Sequence, residues 1–269
     1  MEDEVTRLTE KRTSNPYLPM QDIWSQYPGF QVQVIELRIS PSPLLHLIPL
    51  PTPNQHPIHF LTATPTPGKT TLAATITKRL NLLQETHSNT TSSPPLAGFI
   101  PMDGYHLTRA QLSAMPDPIH AHARRGAAFT FDGPSFLTLI RKVREPITSS
   151  TPTIHAPSFD HALKDPRADD IPIEPTTRIL IFEGNYLSLD KEPWRSAAKL
   201  MDQLWFVDVN FEVAKRRLIP RHVRAGIAED EVEAEKRVVE NDLVNGEEIV
   251  RDRMVVHEVI VSTDDVAWK

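Results

Sequence analysis

The sequence predicts an α/β fold in three layers: a mostly parallel central sheet with helices on both faces. Short apolar runs of strand length recur at Ile58–Ala63, 97–102, 178–182 and 204–209. Longer amphipathic stretches separate them, as crossover connections between parallel strands require. The runs RILIF and LWFVDV are apolar throughout rather than alternating, the pattern of strands covered on both sides.

Taken in order, residues 1–12 read as a short helix leading into a proline-rich stretch over 13–57. Proline lacks an amide donor and restricts the residue before it, so this stretch reads as an irregular extension with one short strand. The main domain is expected over 58–269. Ile58–Ala63 is its first strand, 70–86 a helix, and 82–95 a polar Ser/Thr-rich loop. A second strand spans 97–102. Pro134 in a first turn and Pro146 as a stop bracket a helix over 135–144. Residues 148–157 read as loop. After strands 178–182 and 204–209 come helices over 211–223 and 229–254, then a last strand over 255–261. The acidic face of 229–240 is expected in solvent, with Val232, Val239 and Leu243 packed inward. Trp194 and Trp205 read as core, and His120 and His122 as loop histidines without the partner pattern of a zinc site.

Composition excludes several functions. With 35 acidic against 29 basic residues the net charge is -6, which argues against a broad nucleic-acid footprint. The chain has no cysteine, so disulfides, thiolate catalysis and Cys-ligated zinc are excluded, and a reducing compartment fits. The beginning MEDEVTRLTEKR is too acidic for a secretory or transit signal, and no run nears the ~18 apolar residues of a membrane span. The expectation is a cytoplasmic protein that binds neither nucleic acid nor membrane.

The stretch FLTATPTPGKTTLAA, 60–74, carries the strongest chemical signal. A strand, a turn of a few residues and Gly68-Lys69-Thr70-Thr71 at a helix start aim backbone amides into one concavity, where the helix end favours anions. Lys69 would reach the terminal phosphates, and the Thr70 hydroxyl would meet a magnesium ion. Ala63, Thr66, Gly68 and Thr71 complete the predicted nucleotide contacts. Two residues depart from the usual pattern: Ala63 stands at the first glycine, and Pro67 removes an N–H that normally faces a phosphate. A hydrogen bond to a charged group is worth ~1.5–3 kcal/mol, so that loss weakens binding roughly ten- to a hundredfold. Elsewhere, Asp103 in PMDGYH follows a strand, where ligand crevices open in parallel sheets, and Glu183 ends the most apolar strand. Turn chemistry explains such carboxylates equally well. In KRRLIPRHVR, Arg217, Arg221 and Arg224 share one helical face.

The ordered series of phosphate loop, PMDGYHL, RRGAAFTFD, HAPSFDHALKDP, RILIFEGNYL, WFVDV and RRLIPRHVRAG resembles the phosphoribulokinase/uridine kinase family of P-loop kinases, over about residues 58–260. The resemblance is nearest to the pantothenate-kinase-like branch. It implies a P-loop NTPase fold, ATP and Mg2+ as cofactors, and phosphoryl transfer to a hydroxyl of a small metabolite, whether nucleoside, pantothenate-like or sugar. Asp103 would be the base and Glu183 the magnesium carboxylate. Arg217 and Arg221 would belong to the lid over the ATP phosphates. Tyr105, His106, Arg124, Arg125, Phe131, Asp132, Asn185 and Tyr186 would line the acceptor side, with Asn241, Asp242 and Asn245 at its border. A homodimer is compatible with this reading. Pro220 departs from the family within the lid helix, where it should kink the chain. With Ala63 and Pro67 it motivates the alternative of a nucleotide-binding module that no longer transfers phosphate.

Overall fold

The computed structural model describes residues 58–63, 65, 68–88 and 94–262. The expectations for 1–57 and for Thr66 and Pro67 of the loop lie outside these residues. Two compact units divide the chain: Pro51–Asn81 with Pro94–Lys269, and Met1–Leu50 with Leu82–Ser93. Of the second unit only 82–88 is described, as helical turns in which the Thr86 hydroxyl donates to the Leu82 carbonyl at 2.8 Å.

The first unit is built on five parallel strands: β1 (Ile58–Ala63), β2 (Ala97–Pro101), β5 (Ile179–Gly184), β6 (Gln203–Asp208) and β7 (Glu258–Val261), in the order β2-β5-β1-β6-β7. Every residue of β5 is buried, as its unbroken apolar run requires. Connections from β1 lead to opposite sides, to β2 through one helix and to β6 through β5, so the sheet has its switch point at β1 and β5.

The helices are α1 (Lys69–Ser88), α2 (Arg109–Ser113), α3 (Pro118–Ala123), α4 (Gly133–Val143), α5 (Trp194–Ala198), α6 (Phe211–Arg224), α7 (Glu231–Arg237) and α8 (Leu243–Arg251). Asp132 caps α4, accepting from the Ser135 amide at 3.0 Å, and Pro134 occupies its first turn. Its inner face presents Phe136, Ile140 and Val143 to the sheet. Phe136 meets Phe182 edge-on at 5.8 Å and Trp194 at 5.5 Å. Burying such a ring is worth about 1.5–3 kcal/mol. Trp194 and Trp205 are both core, as expected. At the far end of α4, Arg144 forms a two-pronged pair with Asp202, whose carboxylate also accepts from the Ile58 amide. That pair ties the helix to the start of β1.

The structure corrects five expectations. Helix α1 continues to Ser88, through part of the expected loop over 82–95, because no glycine or proline interrupts it before Pro94. His120 and His122 lie on α3, not a loop, because Asp117 caps it and Pro118 fits its first position. The expected loop over 148–157 ends in β3 (Ile154–Asp160), which pairs antiparallel with β4 (Asp165–Ile173). The apolar face of this hairpin is short, Ile154 and Ala156 opposite Ile173 and Ile171, and the polar remainder of both strands hides it. Helix 229–254 is divided by a wide π turn at Val238–Asp242. Ala234 and Val238, one turn apart, face inward, so Val232 lies roughly half a turn away and is 78% exposed, and Val239 is 45% exposed. Leu243 is half-buried. The last strand spans Glu258–Val261 only, because the Met254 amide is drawn to the Ser188 carbonyl and pairing with β6 begins at His257.

Candidate active site

The C-terminal edge of the sheet gathers the phosphate-loop residues and two carboxylates. Gly68 has φ +113°, a left-handed conformation that favours glycine, and its carbonyl accepts from the Leu72 amide at the start of α1. Lys69 and Thr70 open that helix, with Lys69 buried and Thr70 and Thr71 exposed. Glu183 lies opposite Leu61 of β1 and Pro101 of β2, at the centre of the edge. The Thr70 hydroxyl donates to its carboxylate at 3.0 Å. Ala63 ends β1 in register with Val207. Next to it, the buried Thr62 hydroxyl donates to the Asn185 carbonyl at 2.9 Å, which fixes the turn after β5.

Lys69 and Glu183 are buried together, and burial acts on both. It pulls the Lys69 ammonium below its ordinary range, against the attraction of Glu183 and Asp103, while Arg221 adds to the lowering. It pushes the Glu183 carboxyl up, opposed by Lys69, raised further by Asp103, and lowered by the Thr70 hydroxyl and Arg221. Each charge therefore depends on the other, a site poised to gain from an incoming anion and cation.

Asp103 sits in a 3-10 turn, Met102–Tyr105, directly after β2. Its side chain is 53% exposed, whereas Glu183 is 6% exposed; Asp103 is the more accessible of the two carboxylates. The His106 Nδ1 lies 2.8 Å from the Asp103 carbonyl, which can only accept, so Nδ1 carries the proton. Burial pulls the His106 imidazole below its ordinary value against the pull of Asp103, with Arg125 and His161 lowering it further. Hairpin β3–β4 crosses this turn so closely that a Cβ on Gly104 would lie 2.1 Å from the Pro157 carbonyl oxygen.

The residues expected on the acceptor side assemble around Arg124-Arg125-Gly126. The Arg125 guanidinium donates to the Leu107 carbonyl at 3.2 Å and to Asp165 at 3.0 Å, and lies over the Phe159 ring at 5.7 Å. Arg124 donates to the Asn245 side-chain oxygen at 2.6 Å. The Arg125 carbonyl accepts from Arg237 and Asn241, both at 3.1 Å, and Asn245 donates to Asn241. The Tyr186 hydroxyl donates to the Gly126 carbonyl at 2.6 Å. His106 lies between Phe131 at 4.0 Å and Phe159 at 5.0 Å, its ring tilted to both. Tyr105, Phe131 and Tyr186 belong to the core that backs this wall, and burial raises both phenols. Asp132 serves as the α4 cap, and Asn185 is half-buried with its carbonyl held by Thr62.

Of the lid arginines, Arg221 is exposed and within electrostatic reach of both Lys69 and Glu183. Arg217 instead donates to the Ser262 hydroxyl at 2.9 Å, at the end of β7. Pro220 lies within α6, which runs unbroken from Phe211 to Arg224. Two residues on, buried His222 meets Asp242 of the π turn at 2.7 Å. Sequence reasoning passed over Phe159, Asp165 and His222. Asp165 holds Arg125 and Arg109 from 40 and 56 residues away, a link no local pattern carries.

Among the described residues no group of three His, Asp or Glu could hold a metal. The Thr70 hydroxyl and Glu183 carboxylate nonetheless suit magnesium, which takes hard oxygen donors and relies on phosphates and water for the rest.

A phosphate loop at the switch point of a parallel sheet, with a buried strand-end carboxylate and an exposed one beside it, defines a P-loop protein of kinase type. No family model matches the chain. An Aspergillus versicolor protein, the ATP-dependent kinase-like protein notR', is 55% identical over 159 residues, 59% of this chain and 92% of its own. A Schizosaccharomyces pombe protein named as a candidate uridine kinase is 40% identical over 197 residues, 73% of this chain and 79% of its own. YFH7 of Saccharomyces cerevisiae, a candidate P-loop kinase with a circular permutation, shares the fold with TM-score 0.68 at 24% identity, over 79% of this chain and 94% of that one. The chain belongs to the phosphoribulokinase/uridine kinase-like family of P-loop kinases.

Proposed function

We propose that this protein transfers the γ-phosphoryl group of ATP to a hydroxyl of a small metabolite. The observation that carries the reading is the meeting of Lys69, the Thr70–Glu183 pair and the accessible Asp103 at one edge of the sheet. The kinase names of the Aspergillus and fission-yeast relatives support it.

The acceptor oxygen attacks the γ-phosphorus in line, its bond to the ADP oxygen breaks, and the hydroxyl proton passes to Asp103. Asp103 suits this role better than Glu183, which is buried and occupied by Thr70 and Lys69. Amides at the start of α1, Lys69 and Arg221 offset the charge that spreads over the transferred group. Magnesium, held by Thr70 and Glu183, would neutralise the β- and γ-oxygens. Nucleosides, pantothenate-like compounds and sugars all offer a hydroxyl that Asp103 can serve. The reading places the protein in the cytoplasm, acting on small molecules without nucleic acid or membrane. No helix among the described residues is long and apolar enough to cross a membrane.

The test is calorimetry of magnesium-ATP binding to wild type and Lys69→Ala, followed by ADP release in Asp103→Asn. Binding that Lys69→Ala abolishes, with turnover reduced about a thousandfold in Asp103→Asn while ATP still binds, is the expected result. Unaltered turnover in Asp103→Asn overturns its assignment. ATP binding without transfer to any acceptor favours the non-transferring nucleotide module, which Ala63, Pro67 and Pro220 motivate.

A further inference from the structure

Around the Arg124-Arg125-Gly126 wall, Asp165 is the carboxylate in direct ion-pair contact with the arginines, while Asp242 and Glu248 act on the neighbouring Tyr186 from farther off. Asp165 is shared by two guanidinium groups, Arg109 at 3.5 Å and Arg125 at 3.0 Å, so one negative charge serves two positive ones. Arg124 and Arg237 are held by neutral oxygens, the Asn245 side chain and the Arg125 carbonyl. The Nε atoms of Arg124, Arg125 and Arg237 are all buried without a hydrogen-bond partner. The three side chains are part-buried, but a sealed Nε–H without an acceptor still costs stability, so three of them around one tripeptide need a reason. Their own backbone offers none: the same network already holds that tripeptide through Asn241 and Tyr186, which carry no charge.

Position supplies the reason. Arg125 lies within electrostatic reach of His106, which is bonded to Asp103, the residue at the acceptor hydroxyl. Arg125 and His106 both lie against Phe159 of hairpin β3–β4, whereas Lys69 opens α1 at the phosphate loop and Arg221 lies on α6. Planar guanidinium groups are suited to carboxylate and phosphate oxygens, which they bind in pairs of hydrogen bonds. A neutral nucleoside or sugar would leave these donors and charges as they are.

Resting on the kinase reading above, we infer that the acceptor carries an anionic group, a carboxylate or phosphate monoester, close to the hydroxyl that is phosphorylated, and that Arg125 with Arg124 and Arg237 receives it. Arg125 is the specificity-determining residue, since it alone of the three contacts the hairpin that covers His106.

The experiment compares acceptors that differ in charge on one skeleton: glycerate and glycerol 3-phosphate against glycerol, and pantothenate against pantothenol. Binding to the full chain is measured by calorimetry with and without magnesium-ATP, and turnover by ADP release. At least one acid is expected to bind about tenfold or more tightly than its neutral counterpart; glycerate against glycerol 3-phosphate separates carboxylate from phosphate. Arg125→Gln should weaken that acid about ten- to a hundredfold and weaken the neutral compound clearly less, whereas Arg125→Lys recovers part of the acid's loss. The Tm of each variant separates loss of the subsite from loss of the fold. Equal binding of acid and alcohol, a preference for the alcohol, or no binding of any probe overturns the inference. If ATP binds normally in that case, the kinase reading stands. If ATP does not bind but an acid is preferred, the anion site stands and the kinase reading falls.

Discussion

The two halves of the site are built differently. The phosphate half is made of residues that are neighbours in sequence or in strand register. Gly68, Lys69 and Thr70 are consecutive, and Glu183 meets them because β5 pairs with β1. The acceptor half is made of long-range contacts: Arg124 to Asn245, Arg125 to Asp165, and Asn241 to the Arg125 carbonyl, over separations of 121, 40 and 116 residues. Parallel strands hold the first half in a geometry that tolerates little change. Turns, a hairpin and a π turn hold the second, and such irregular elements are where π turns and loops serve function.

Substitutions can break this contrast. The largest effect is expected at Glu183. Glu183→Gln keeps the Thr70 contact but removes the charge facing the metal and Lys69, so kcat should fall about a hundredfold or more and the magnesium requirement should rise. An unchanged magnesium titration would detach Glu183 from metal binding. Next is Gly104→Ala, which drives a Cβ against the Pro157 carbonyl and forces the hairpin away. A cost of about 1–3 kcal/mol in unfolding free energy is expected, with acceptor KM raised more than ATP KM. A rise in ATP KM alone would show that the hairpin serves the wrong half.

The smallest effect is a pH dependence at His106. Burial holds its folded-state value below the ordinary 6.5, so the unfolded chain binds the proton more readily. The stability that neutral His106 contributes is present above about pH 6.5 and is lost as pH falls from there toward its lowered folded value. The slope cannot exceed about 1.4 kcal/mol per pH unit for one group. Thermal unfolding between pH 7 and 5 should therefore decline more steeply in wild type than in His106→Gln. Parallel curves would mean that His106 does not titrate in this window.

Legibility in the sequence followed the same division. The strands RILIF and LWFVDV and the loop GKTT were visible because burial on both faces and a phosphate concavity each demand a local pattern. Hairpin β3–β4 was not visible, because its apolar alternation is confined to one end, Ile171 and Ile173 opposite Ala156 and Ile154, and both strands contain prolines. Val232 and Val239 were placed inward on an assumed single helix, and the packing of Ala234 and Val238 reversed both. Tyr105, Phe131 and Tyr186 were expected at the acceptor, and they sit in the core behind it, since bulky aromatics gain more from burial than from a wet pocket.

What the amino-acid sequence determined by itself was the class of fold, the place of the phosphate loop and the two carboxylates at strand ends, because each depends on spacing along a few neighbouring residues. Only the tertiary structure decided which carboxylate is accessible, that Arg217 turns to Ser262 while Arg221 stays near Lys69, and that three arginines keep a buried Nε without a partner. Accessibility and charge balance are properties of a neighbourhood, and a neighbourhood exists only after distant segments have packed.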